Sequence, residues 1–247
     1  MKRKLPSIIS IIFILIIWQV VSSVGMVENF MLPSPIQVIK AFVGEFPTLM
    51  SHSVTTLLEA FVGLVLGIIF GFAVAVLMDQ FDGLKKALYP ILVITQTIPA
   101  VAIAPLLVLW FGYEMTPKVI LIVLTTFFPI AVGLLNGFQT TDKDSMNMLR
   151  AMGANRWQIF RHIKFPGALS EFFAGIRIAA SYAVVGAVIS EWLGGFKGLG
   201  VYMTRVKQAF SFDKMFAVIF LVSIISLLLM KGVDFLQKKC MPWEKEN

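Results

Sequence analysis

Apolar residues fill six long stretches of this chain, and polar residues gather in the short segments between them. Residues 5–27 carry no charge, which meets the ~20 residues that a helix needs to cross a bilayer. Further spans are expected at 55–78, 87–113, 119–137 and 216–236. A fifth in chain order begins within 171–177 and ends near Glu191. Only 13 uncharged residues separate Arg177 from Glu191, so that helix has to start before Arg177, whose side chain can snorkel to the headgroups. Lipid offers backbone groups no partners, so apolar runs of this length predict helices. The expectation is an all-α, polytopic helical bundle of about six transmembrane helices. It reads as one transmembrane domain over 1–247, with a first span and a short amphipathic helix in 1–53 and a core bundle in 54–238.

Polar and small residues inside the spans give each helix a character. Gly63, Gly67 and Gly71 lie four apart, so they share a face that lets another backbone approach, within one bundle or between two copies. Gly175, Ala179, Ala183 and Ala187 repeat the pattern and read as a packing stripe. The third span contains Pro90, Pro99 and Pro105 around Thr95, Gln96 and Thr97. Each proline removes an amide donor, which predicts a broken helix inside the bundle. Gln96, Thr97 and Pro99 are therefore candidates to line a path, with a kink used only for packing as the alternative. Pro129 is expected to break the fourth span in its middle. Glu59 faces a water-filled path or lies at the membrane interface, and its place before the long apolar run favours the interface.

The longest polar interruption runs over 139–177. Thr141 and Asp144 read as a capping box, which starts a helix that ends at Met152. Gly153 suits the left-handed position beyond a helix end. A second helix is expected at 155–163, mixing Arg156, Trp157, Phe160 and Arg161, and Pro166 prevents its simple continuation. The result is a basic, partly aromatic helical hairpin between two spans. An ordinary solvated loop is the bland alternative.

Composition agrees with a membrane protein: 58% hydrophobic, 14% charged, mean hydropathy +0.86, against about a quarter charged in soluble domains. The net charge of +7 first reports topology and calls for no nucleic acid. With the amino terminus inside, fifteen of the 21 Lys and Arg residues fall in inner segments, which puts both termini and the hairpin in the cytoplasm. Lys2, Arg3 and Lys4 also begin like a secretory signal, but no small-residue cleavage site follows, which favours an uncleaved span. One cysteine, Cys240, excludes an intramolecular disulfide, and two histidines exclude a multi-histidine metal site. The chain has no Gly-Lys dipeptide and so no phosphate-binding loop of the Walker type. No catalytic residue, cofactor site or metal site is expected, and any ATP is handled by another protein.

Gly153, Ile163 and Pro166 fall at the spacing of the coupling loop of importer-type ABC permeases, which the hairpin resembles. Phe165 takes a leucine position of that motif, and Asn147, Met148 and Leu149 stand where Glu-Ala-Ala is expected. Leu32-Pro33-Ser34-Pro35, Gln96-Thr97-Ile98-Pro99, Leu109-Trp110-Phe111-Gly112 and Glu191-Trp192-Leu193-Gly194 resemble permeases for sulfonates, taurine and nitrate, the group that also handles thiamine-type pyrimidine precursors. The resemblance covers nearly all of the chain beyond Leu32. It implies the importer-type ABC permease fold in a bacterial cell membrane. It also implies partnership with a second permease copy, two cytoplasmic ATPase subunits holding ATP-Mg, and an external solute-binding protein. Transport by alternating access of a small anionic or polar organic solute would follow. Gly153, Ala154, Asn155, Arg156, Trp157, Phe160, Arg161, Ile163 and Pro166 would couple the chain to its ATPase.

Two other classes compete. An intramembrane enzyme needs a nucleophile–base or metal constellation, which two loop histidines do not supply. An ion-coupled secondary transporter typically carries ionisable residues deep in the membrane. The sequence offers only Glu59 and Glu191, near the outer ends of their spans.

Overall fold

The computed structural model describes residues 5–24 and 31–243, and among them every regular element is helical. In order these are α1 (Leu5–Ser23), α2 (Pro35–Gly44), α3 (Phe46–Gln80), α4 (Asp82–Thr97), α5 (Ala100–Phe111) and α6 (Met115–Thr140). Then come α7 (Lys143–Ala151), α8 (Arg156–Ile159), a π turn (Phe160–Lys164), α9 (Phe165–Trp192), α10 (Leu199–Gln208) and α11 (Phe212–Cys240). The start of the first apolar run at Lys2, Arg3 and Lys4, its end at 25–27, and Lys245 lie outside the described residues.

Four helical stretches are long and apolar enough to cross a membrane: Phe46–Gln80, Met115–Thr140, Arg156–Trp192 and Phe212–Cys240. The pair α4–α5 bends by 96° and makes a fifth, and apolar α1 completes the expected set of about six. The third apolar run is therefore two helices. The break falls at Ile98 and Pro99, whereas Pro90 and Pro105 sit inside helices. Pro129 likewise sits within an unbroken α6, contrary to the expected interruption. A proline only removes one donor, and a helix packed on its neighbours survives that loss. α2 opens with a capping box, since the Gln37 amide donates to Ser34 Oγ and the Ser34 amide donates to Gln37 Oε1.

Helices α3, α6 and α9 form the centre, with α11 on α9 and α10 across the end where α9 stops. Their approach depends on missing side chains. A Cβ built on Gly63 would lie 2.4 Å from Ile122 Cγ2, and one on Gly67 would lie 2.1 Å from Thr126 Oγ1. On Gly71 it would meet the Phe127 carbonyl oxygen at 2.8 Å. Between α6 and α9 the same holds for Gly137 against Ala168 and for Gly175 against the Pro129 carbonyl, the latter at 2.6 Å. Ala179, Ala183 and Ala187 are fully buried in this contact layer. Outward faces are apolar instead of charged: Phe61, Ile69 and Phe70 of α3 and Leu227, Leu228 and Phe235 of α11 are exposed, which suits a lipid surface.

Replacing Gly67 by leucine should therefore destabilise the bundle by at least the ~1–3 kcal/mol typical of overpacking. A Cβ on Gly232 would have open space for 4 Å around it, so leucine there should have little effect. Thermal melting of both variants in detergent is the measurement. Equal melting temperatures for the two would show that the α3–α6 contact is loose.

Candidate functional site

The polar hairpin is built tightly. Asp142, not Thr141, caps α7: its carboxylate accepts from the Asp144 and Ser145 amides at 3.2 and 3.0 Å and from the Ser145 hydroxyl. These donors, the Ser145 hydroxyl foremost, hold the Asp142 carboxyl below its usual range. Thr141 cannot serve, because its buried hydroxyl donates to the Gly137 carbonyl at the end of α6. α7 ends in a Schellman motif: the Gly153 amide donates to the Arg150 carbonyl and the Ala154 amide to the Leu149 carbonyl, both at 3.0 Å. Gly153 has φ +84°, as a left-handed terminator requires. Asn155 and Gln158 then form a reciprocal capping box that opens α8.

Beyond α8 the helix does not stop at Pro166. It widens into the π turn, then continues as α9, so Arg156–Trp192 is one stretch. Pro166 follows the π turn directly, where the altered register accommodates a residue without an amide donor. The helix that carries the fifth span thus starts at Arg156, well before 171–177. The second arm of the hairpin is the amino-terminal end of the long helix Arg156–Trp192 and no tethered loop.

Its foot is locked in place. Phe160 is buried, with ring centroids 5.5 Å from Phe138, 5.6 Å from Trp157 and 6.1 Å from Phe165. Phe165, in the motif's leucine position, also packs edge-on against Phe72 of α3. Lys164 Nζ donates to both Asp79 oxygens, at 2.7 and 2.9 Å. Phe160 is therefore no surface anchor: facing inward, it fixes the hairpin to the bundle. Ile163 and Pro166 are half-buried at the same foot, and Ala154 is half-buried at the turn. Asn155, Arg156 and Arg161 are exposed beside Trp157, which is 65% exposed. Met148 on α7 and Met152 at its C-cap, one helical turn apart, are 60% and 76% exposed, so both arms of the hairpin present apolar side chains. Sequence reasoning passed over both methionines, although their spacing of four signalled a shared face.

A groove runs along α6 and α9 beside the bent pair α4–α5. One cavity of about 340 Å³ is lined by Thr95, Gln96, Pro99, Thr125, Tyr182 and Ile189 among others. A second, of about 350 Å³, shares Gln96 and Tyr182 and reaches Asn136 and Glu171 toward the hairpin end. Thr97 lines neither: it is exposed and donates to the Ile94 carbonyl at 2.8 Å. Gly63, Gly67 and Gly71 lie away from the groove, against α6.

At the far end of the bundle Glu59 is buried instead of facing solvent, and Lys118 Nζ donates to its Oε1 at 2.6 Å. Lys118, expected in a loop, is itself buried at the start of α6. Glu191 is buried with them and accepts from the Thr56 hydroxyl at 2.8 Å and the Gly200 amide at 2.6 Å. The Gly198 amide donates to His52 Nδ1 and the Leu199 amide to Thr56 Oγ1. Three amides at the start of α10, which a helix leaves without internal partners, thus find side chains on α3 and α9.

These features meet in one family. Residues 63–241 match the model described as the binding-protein-dependent transport system inner membrane component. The chain belongs to this family. It is 36% identical to the formylaminopyrimidine transport permease protein ThiX of Halalkalibacterium halodurans, over 100% of both chains. It is 28% identical to the taurine transport system permease protein TauC of Escherichia coli, over 97% of this chain and 90% of that one. The fold matches the inward-facing MetNI methionine ABC transporter with a TM-score of 0.69 at 21% identity, covering 77% of this chain and 95% of that one. The protein is an ABC importer permease subunit for a small solute, a multi-pass membrane component and not an enzyme. Its family works with ATPase, binding-protein and permease partners.

Removing one member of the buried ion pair leaves the other uncompensated, at a cost of about 3–5 kcal/mol. Glu59→Leu alone and Lys118→Met alone should each reduce the yield of folded protein, and the double variant should recover it. Yield after detergent extraction checks this, and additive losses in the double variant would show that the two residues do not depend on each other.

Proposed function

We propose that this chain is the permease of an ATP-driven importer for a small, neutral, polar heterocycle of the formylaminopyrimidine kind, working by alternating access. The observation that carries the substrate class is the groove. Among the described residues, its hydrogen-bonding groups are Thr95, Gln96, Thr125, Tyr182 and Asn136, its only formal charge is the carboxylate of Glu171, and no cation lines either cavity. Sulfonates and nitrate are anions, and a route for them gains from lysine or arginine. Full-length likeness to ThiX supports the same choice. Gln96 and Pro99 line the path in this reading, while Thr97 secures the break in the helix.

The working assembly is two copies of this permease, two cytoplasmic ATPase subunits that hold ATP-Mg, and an external solute-binding protein. This chain holds no cofactor. Both termini and the hairpin face the cytoplasm, as the distribution of Lys and Arg requires. The tip formed by Met148, Met152 and Trp157, ringed by Arg156 and Arg161, enters a groove on the ATPase, since aromatic and arginine side chains dominate such contacts. When the ATPase pair closes on ATP, the hairpin moves, and α9 moves with it because the two are one helix. Rigid-body rocking of the bundle then opens the path to the other side. A secondary transporter has no use for such a tip.

Trp157→Ala combined with Arg161→Ala should lower ATP hydrolysis in the reconstituted complex about tenfold and weaken ATPase capture, with membrane insertion unchanged. Wild-type hydrolysis and capture would remove the hairpin from the coupling role. Orientation has its own test, in a background where Cys240 is replaced by alanine. Cysteine at Asn155 should react with an impermeant maleimide only after cells are opened, and cysteine at Ser34 in intact cells. The opposite pattern would place the hairpin outside, beyond reach of ATP.

A further inference from the structure

We infer that Glu191 is a positioning residue through which the state of the ATPase is passed to the outer loop at 193–211. The inference rests on the coupling role proposed for the hairpin and extends it to the other end of the same helix. Arg156–Trp192 is one helical stretch, with the coupling tip at its beginning and Glu191 in its last turn. At that end Glu191 grips the following loop. Its Oε2 accepts from the Gly200 amide at 2.6 Å, and its Oε1 accepts from Thr56 of α3, whose hydroxyl also takes the Leu199 amide at 2.9 Å.

The grip leaves no slack. A Cβ on Gly198 would lie 2.2 Å from Glu191 Cδ, and a Cβ on Gly200 would lie 2.3 Å from the Val188 carbonyl oxygen. Gly198 has φ +140°, a conformation that side-chain-bearing residues rarely adopt, so the loop is shaped to lie flush on the end of α9. Below the carboxyl, Lys118 and Glu59 form a buried ion pair, and Lys118 Nζ also lies beside Gly195. Glu191 is 1% exposed, so no water competes for these bonds. Above the grip, Phe196 and Lys197 are exposed, and Arg205 holds the Phe196 carbonyl at 3.1 Å. A rotation or axial shift of α9 that starts at the tip is therefore imposed on this exposed loop, on the face open to a solute-binding protein.

The test uses the permease–ATPase complex in proteoliposomes, with a nitroxide on cysteine at Lys197 and Cys240 replaced by serine. Vanadate trapping with Mg-ATP should change the mobility of the label in the otherwise wild-type complex. Glu191→Ala should leave the label equally mobile with and without trapping, while basal ATP hydrolysis stays within twofold. Glu191→Gln should restore the response, because its amide keeps an acceptor for Gly200 and offers a donor to Thr56. If Glu191→Ala fails to assemble, Thr56→Val, which removes the hydroxyl and keeps the shape, should itself reduce the response at least threefold. An unchanged response in Glu191→Ala, or in Thr56→Val where that variant decides, would overturn the inference. So would no response in the wild-type complex, or equal loss in the alanine and glutamine variants. The hairpin variants keep the two readings apart: normal hydrolysis with Trp157 and Arg161 replaced would sink the coupling role, whatever Glu191 does.

Discussion

Everything in this bundle depends on how closely α6 approaches α3 on one side and α9 on the other. In lipid no hydrophobic force drives helices together, so association must come from van der Waals contact and hydrogen bonds at short range. The chain secures that range with glycine. Gly63, Gly67 and Gly71 receive Ile122, Thr126 and Phe127, and Gly137 and Gly175 receive Ala168 and the Pro129 carbonyl. α6 is thus clamped along its length. A clamped helix also explains why Pro129 does not break it: the neighbours hold the helical path that the proline alone would weaken.

That rigidity gives the hairpin its leverage. A loop on a flexible tether would absorb any push from a partner. Here α8 runs through the π turn into α9, and Phe160, Phe165 and Lys164 fix the junction to Phe138, Phe72 and Asp79. In the proposed coupling, displacement at the tip would be carried along α9 to Glu191, with little room to dissipate between. The side facing the groove is different. α4 buries only Leu92 and α5 only Ala104 and Leu107, and the two meet at a 96° bend. Of the spans other than α1, this pair buries the fewest residues and so has the least packing to oppose a change of position.

Much of this was legible in the residues. Apolar runs of bilayer length gave the helices, the four-residue glycine spacing gave a close-packed face, and Gly153 gave the hairpin turn. What was missed shares a cause: it concerns partners that sequence distance hides. The pairing of Glu59 was not foreseen because Lys118 lies 59 positions away, and the burial of Phe160, expected among the coupling residues, was not foreseen because Phe138 belongs to another helix. Glu191 was read as the end of a span, as part of a motif and as an ionisable group near the membrane's outer side, but not as a holder of α10, since its two donors come from α3 and from α10 itself. Pro166 misled for a different reason. Local chemistry predicts a stop, and only the π register, which has no signature in the sequence, lets the helix pass.

The distribution of charge along α3 shows how such a bundle can move and still hold together. Ion pairs tie it at both ends of its uncharged run 60–78, Glu59 to Lys118 of α6 and Asp79 to Lys164 beneath the hairpin. Between them, the contact with α6 is made by glycines against Ile122, Thr126, Phe127 and Ile130, with no charge at all. Charges in the middle would resist any change in the hydration of the nearby groove, because each would have to be paired in both states. Placed at the ends, they pin α3, α6 and the α9 junction as one body and leave the groove, among the described residues, with Glu171 as its one formal charge. On the proposed route, water or a polar solute would enter and leave beside Gln96 and Tyr182 without breaking an ion pair. The constraint on such a permease is therefore asymmetric: its ends must be held electrostatically, and its centre must be held by shape alone.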